Sequence, residues 1–246
     1  MVQQADVAAY NTYLHQRKKY TTTGGLCSSS IQRNIYMLNL LDQHLQVTQQ
    51  FKLLKDKLIV TKSLPTPKVI LTPSEIAALY AVTDNSLLGY RDKALLSLFY
   101  GCGLRRSEAI PIQLKHLHYE QGLLQVLPGK NKTGRYVPMS HAVIEDIKTY
   151  EQHSRSYLMY HQNHDYLIVN AKGDPISPNS IGHFLSKLVA KAGITQSISL
   201  HNLRHSIATH LLQAGMPLPQ ISRFLGHKSM ERTQIYTRIV TALNHE

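Results

Sequence analysis

Apolar residues recur along most of this chain at intervals of three and four, the period of helices that bury one face. In "ADVAAYNTYLHQRKK", residues 5–19, Val7, Tyr10 and Leu14 keep that interval ahead of a basic cluster, and "YTTTGGLCSSS" then breaks it. A second stripe runs through Ile31, Ile35, Leu38, Leu41 and Leu45, with Ser30 placed to cap its start. Residues 52–71, "KLLKDKLIVTKSLPTPKVIL", interleave lysines with Pro65 and Pro67 and read as an extended basic linker. After it Thr72, Pro73 and Glu75 form a helix start, with a cap, a proline at the first helical position and the acid of a capping box.

Further on, "YRDKALLSLFYGCGLRRSEAIPIQL" predicts an apolar helix, a glycine break at 101–103 and another helix from about Leu104. Leu124 and Val126, then "GKNKTG" and "RYVPM", switch to the alternation and turn composition of a β-hairpin. Helical spacing returns over about 141–160, 178–192, 200–214, 217–225 and 230–240. The expected fold is mainly α with a small β-hairpin or sheet, an α+β arrangement. Residues 1–64 are expected to form a short helical segment, 65–71 a basic linker and 72–246 the main domain.

Charge narrows the partner. Lys and Arg number 27 against 15 Asp and Glu, a formal +12, and 14 histidines add cationic capacity at lower pH. Such an excess suits a polyanion. Two cysteines, Cys27 and Cys102, with no Cys-x-x-Cys spacing, support neither a disulfide framework nor a cysteine-built zinc site and fit a reducing compartment. The opening "MVQQADVAAYNTYL" lacks the basic-then-apolar order of a signal peptide, and no run approaches a membrane span, so the expected location is the cytoplasm.

One stretch concentrates chemistry. "SLHNLRHSIATHLLQAG", residues 199–215, sets His201, Arg204, His205 and His210 on one predicted helix, whose apolar stripe is Leu200, Leu203, Ile207 and Leu211. At i and i+3, His201 and Arg204 are expected side by side off that stripe. His201 and His205 also have metal-ligand spacing, but no glutamate follows the first histidine and no third ligand stands nearby, so no metal is expected. Downstream, "ISRFLGHKSMERTQIYTRI" has Gly226 as a helix C-cap, His227 in the turn and Tyr236 on the next predicted helix.

The order and spacing of these residues carry a resemblance. Three positions separate His201 from Arg204, twenty-three Arg204 from His227 and nine His227 from Tyr236, with "GCGLRRSE" and the hairpin lysines upstream. Over about residues 72–240 this resembles the tyrosine recombinase family of phage integrases and Xer-type resolvases, with spacings closest to the Xer type. The resemblance implies a site of Arg105, Lys130, His201, Arg204, His227 and the nucleophile Tyr236, with Glu108 in support. Lys132, across the turn from Lys130, is the alternative hairpin lysine.

It further implies DNA cleavage and rejoining through a 3′-phosphotyrosyl link, with no ATP, metal or cofactor. The partners it implies are double-stranded DNA with a recombination site, three further copies of the chain in a homotetramer on two sites, and accessory DNA-bending proteins, in the nucleoid and away from membranes. Arg106, His205 and His210 have no role in that scheme and are expected to be DNA-contacting or structural, while Tyr160, His161 and His164 read as a solvated helix end. Two readings stand beside it: a topoisomerase-like enzyme that nicks and reseals one duplex, and a DNA-binding regulator with a vestigial site. The helical segment before the main domain is shorter than usual for the family, and only ten residues follow Tyr236, so both the clamp on DNA and the coupling between protomers are expected to be reduced or built differently.

Overall fold

A computed structural model describes residues 4–17, 26, 28–49, 52–54, 69–129 and 134–227. The chain divides into two compact units, residues 1–67 and 68–246. In the first, α1 (Gln4–Gln16) and α2 (Ser28–Gln49) pack through a small apolar contact of Leu14, Ile31 and Ile35, with Leu26 against it. Only the first two members of the predicted α2 stripe are buried, and Leu41 is 46% exposed. The helix begins at Ser28, so Ser30 lies in its first turn and is not its cap. The last described residues of this unit are held by a carboxylate: Asp42 Oδ1 accepts the backbone N–H groups of Leu53 and Leu54 at 2.7 and 2.8 Å.

The second unit opens as its sequence dictates. Thr72 Oγ1 accepts the Glu75 N–H, Glu75 accepts the Thr72 N–H at 2.7 Å, and Pro73 starts α3 (Pro73–Ala81). Ser86 caps α4 (Leu87–Leu96), which widens into a π turn over Ser97–Gly101. The glycines that follow are steric necessities. A Cβ on Gly101 would stand 2.4 Å from Val143 Cγ2, and Gly103 has φ +58° with Phe224 3.0 Å from where its Cβ would be. The helix expected from Leu104 is the single turn α5 (Arg106–Ala109).

After a 3₁₀ turn at Leu114–His116 comes an antiparallel sheet in the order β1 (Leu117–His118), β2 (Leu123–Val126), β3 (Arg135–Pro138). The hairpin is as expected, with β1 added at its edge. Leu124 faces Val137 and Val126 faces Arg135, so the buried side chains of Leu124, Val126 and Val137 share one face while Tyr136 points to solvent.

Helix α6 (His141–Tyr150), capped by Ser140, runs through a π turn at Glu151–Arg155 into α7 (Ser156–Leu158). Past α7, Tyr160 and His161 are exposed, as a solvated end requires. His164 is different: its Nε2 lies 2.9 Å from the Gly173 carbonyl, and Arg155 donates to the His164 and Tyr166 carbonyls, so it braces a loop.

Helices α8 (Pro178–Lys191), α9 (Leu200–Gln213) and α10 (Leu218–Leu225) complete the described part. Phe184 of α8 stacks on Phe99 of the π turn at 6.1 Å, joining α8 to a core of Leu95, Leu98, Val143, Ile147 and Leu188. The chain at 69–71 lies along α9. Asn202 Nδ2 donates to the Val69 carbonyl and the Leu71 N–H to Ser206 Oγ, both at 2.8 Å. His210 hydrogen-bonds the Leu71 backbone, and its Nδ1 meets Tyr100 Oη at 2.9 Å. Positions 202, 206 and 210 fall one helical turn apart, so His210 is a structural residue of this contact. No described helix is long and apolar enough to cross a membrane.

Candidate active site

The π turn and its glycines deliver Arg105 in extended backbone at the head of α5. Glu108, one turn later, bends back on it: Oε2 accepts the Arg105 N–H at 2.9 Å and Oε1 accepts Arg105 Nη1 at 2.6 Å. Arg204 arrives from α9, 3.6 Å from Glu108 Oε2 and donating to the carbonyls of Gly103 and Leu225. One carboxylate therefore gathers the two arginines that the resemblance placed in the site.

The position of Arg204 differs from expectation. It does not sit on an open edge beside His201; it is 3% exposed, whereas His201 is exposed at the start of the same helix. Ser206 and Thr209 are buried with it, so α9 sinks polar as well as apolar faces. That is tolerable because each polar group has a partner: Ser206 Oγ accepts from Leu71 and donates to Asn202, and Thr209 donates to the His205 carbonyl.

The end of α10 closes the cluster. Gly226 takes φ +63°, the left-handed turn predicted for it, and His227 follows with its N–H on the Ser222 carbonyl at 3.0 Å. Arg105 Nη1 and Nη2 point at the Leu225 and Gly226 carbonyls at 3.3 and 3.4 Å. Guanidinium groups at the C-terminal carbonyls of a helix meet its negative dipole end, which favours this arrangement.

A third arginine belongs here that the sequence reading passed over. Arg135, the first residue of β3, grips both oxygens of Glu108 at 3.1 Å and donates from Nε to the Phe224 carbonyl at 2.9 Å. The available signal was its register: in "RYVP" it shares the inward face of Val137, where a charge needs a buried partner. Burial of Glu108 disfavours its charged form, but the Arg135 fork, the Arg105 N–H and the Arg105 guanidinium outweigh that and hold the carboxyl at about 2. Three guanidinium groups against one carboxylate leave a net charge of +2.

Nearby Cys102 is fully buried, and burial pushes its thiol up to about 12, which makes it a packing residue. Among the described residues no three His, Cys, Asp or Glu side chains cluster as metal ligands would. Lys130, its alternative Lys132, and Tyr236 lie outside the described residues.

A compact arginine cluster with a surplus of positive charge, built where a helix end, a strand and a glycine turn meet, suits an enzyme that works on a phosphodiester. The chain belongs to the phage integrase family, whose model matches residues 70–242. Within it the chain is similar to Xer-type tyrosine recombinases. Tyrosine recombinase XerC of Anoxybacillus flavithermus is 31% identical over 245 residues, covering 97% of this chain and 78% of the relative. Tyrosine recombinase XerD of Staphylococcus aureus is 36% identical over 171 residues, 69% of this chain, and those residues span 58% of XerD.

Solved structures agree on the fold. XerA recombinase superposes with a TM-score of 0.64 at 24% identity, over 95% of this chain and 77% of that one. XerH site-specific recombinase, bound to palindromic difH substrate in a post-cleavage complex, gives 0.75 at 19% identity, over 97% and 69%.

Proposed function

We propose that this tyrosine site-specific recombinase cuts and rejoins double-stranded DNA through a 3′-phosphotyrosyl intermediate. The observation that carries the reading is the convergence of Arg105 and Arg204 on Glu108 beside the turn that bears His227. The non-bridging oxygens of a phosphodiester gain charge toward the pentavalent transition state, and two guanidinium groups in a water-poor setting answer that charge where it grows. XerH, bound to difH substrate in its solved complexes, and the Tn1549 transposon integrase, solved in complex with circular intermediate DNA, support DNA as the partner.

In the proposed step the Tyr236 oxygen attacks phosphorus, the new O–P bond forms, and the bond from phosphorus to the 5′ oxygen breaks. A free tyrosine is only about one part in a thousand ionised at pH 7, a handicap of roughly 4 kcal/mol. His201 accepts the phenolic proton, and the cationic cluster lowers the remaining cost. Lys130 protonates the departing 5′ oxygen, and His227 hydrogen-bonds the phosphate. The phosphotyrosyl ester conserves the energy of the broken bond, so a 5′ hydroxyl from another strand reverses the step without ATP. Arginine, lysine and imidazole supply the positive charge that two-metal nucleases draw from ions.

The working assembly in this reading is four protomers on two DNA sites with accessory DNA-bending proteins, in the nucleoid. Residues 1–64 act as a helical DNA-binding segment, 65–71 as the linker and 72–246 as the catalytic domain.

The test is covalent capture. A pool of nicked duplexes randomised around the nick is incubated with the full chain, and DNA attached to protein is recovered and sequenced. Wild type is expected to give an adduct on a defined site that survives EDTA and that Tyr236→Phe abolishes. No adduct refutes the enzyme reading and leaves a DNA-binding regulator. An adduct without strand exchange between two sites points to a topoisomerase-like enzyme.

A further inference from the structure

We infer that Arg135 is a positioning residue for DNA cleavage, one that sets the charge and aim of the Arg105 and Arg204 clamp through Glu108; this rests on the recombinase reading above. Arg135 makes its hydrogen bonds within the protein. Each of its three side-chain nitrogens is committed to a protein acceptor, Nη1 and Nη2 to the two oxygens of Glu108 and Nε to the Phe224 carbonyl, and the side chain is 13% exposed. It acts through what it holds.

Two things are held at once. A planar fork on both carboxylate oxygens fixes the plane of Glu108, and hence the direction from which Arg105 Nη1 meets Oε1 and Arg204 approaches Oε2. The same side chain lies flat against Gly226, where a Cβ would come within 2.8 Å of Nη1 and 3.0 Å of Cδ and Cζ. With its bond to the Phe224 carbonyl, this ties β3 to the turn that presents His227. Among the described residues, no other side chain of the cluster comes from the sheet.

The charge count gives the second half of the argument. With Arg135 the cluster is +2; without it, one carboxylate faces two arginines and the sum is +1. Arg135 therefore offsets the Glu108 charge, so the cluster that includes Arg105 and Arg204 keeps a surplus of +2 to oppose the phosphate. A substrate whose reacting centre carries no charge needs less of that opposition.

The experiment compares two nicked duplexes of the captured sequence, one with the natural phosphodiester and one with a neutral methylphosphonate at the scissile position. Single-turnover adduct formation and DNA affinity are measured for full-length wild type, Arg135→Gln and Arg135→Lys. Arg135→Gln is expected to slow cleavage of the phosphodiester on the order of 100-fold while DNA affinity stays within about threefold of wild type. On the methylphosphonate the deficit is expected to shrink to about 10-fold or less.

Arg135→Lys restores the charge without the fork and is expected to fall between wild type and Arg135→Gln; it also carries the test if the glutamine variant does not fold. Equal deficits on both substrates, a parallel loss of DNA affinity, or wild-type cleavage by Arg135→Lys overturns the inference. A wild-type protein that forms no adduct overturns the recombinase reading instead.

Discussion

Glu108→Gln isolates the energy of the carboxylate hub. Glutamine nearly matches the shape of glutamate and removes the charge, leaving Arg105, Arg135 and Arg204 gathered with no counter-ion. The carboxyl is held at about 2 against its ordinary 4.5, a gap worth roughly 3 kcal/mol in favour of the charged folded form. With the Glu108 side chain only 8% exposed, little of this is lost to solvent screening.

Because folding lowers this pKa, the contribution is complete above pH 4.5 and disappears as the pH falls through about 2. Urea denaturation followed by circular dichroism is expected to find Glu108→Gln roughly 3 kcal/mol less stable at pH 7, with an unchanged dependence on urea. The gap should narrow to about half or less by pH 3, since a protonated glutamate resembles the glutamine. Equal stability at pH 7, or a gap that ignores pH, would refute the assignment of Glu108 as the electrostatic hub.

Gly226→Ala combines a positive φ with a Cβ pressed on Arg135, so it is expected to lose about 1–3 kcal/mol in denaturation and to slow adduct formation as Arg135→Gln does. Gly101→Ala drives a methyl group into Val143 and is expected to cost about 1–3 kcal/mol in denaturation. Burial, against a bond to the Leu71 backbone that favours the charged form, holds His210 below its ordinary 6.5. Its share of stability is therefore present above about pH 6.5 and is lost as pH falls through the folded value. A histidine NMR titration reads that shift, and Tyr100→Phe, which strands His210 Nδ1, is expected to destabilise the fold by about 1–3 kcal/mol. DNA binding by the +12 chain is expected to weaken by about 0.9 log units per neutralised phosphate for each log unit of salt, measured by titration at several salt concentrations.

What could be read from the chain in advance was local. Thr72, Pro73 and Glu75 specify a helix start by contacts within three residues, Gly226 specifies a left-handed cap, and alternation in β2 and β3 specifies a hairpin, so all three were legible. Of the candidate site, order and spacing picked out Arg105, Glu108 and Arg204, which the fold brings together. Their arrangement was not, because it depends on groups that meet only after folding: Arg105 and Glu108 with Arg135 27 positions beyond Glu108, and Arg204 with the Leu225 carbonyl 21 positions on.

Helical periodicity put Arg204 on a polar edge, since periodicity counts apolar residues and cannot register a buried arginine whose acceptors come from other elements. The same blindness hid Arg135, whose inward place on β3 is harmless only because Glu108 awaits it. In the α2 segment the error ran the other way, a full apolar stripe of which only Ile31 and Ile35 are buried among the described residues.

By itself, then, the sequence determined the helical character, the hairpin, the caps, the basic charge and which residue types are available for phosphate chemistry, all properties of short segments or of sums over the chain. The tertiary structure decided which charges face one another. Coulombic and hydrogen-bond energies depend on ångström separations between groups far apart in the chain, and only the packed fold sets those separations.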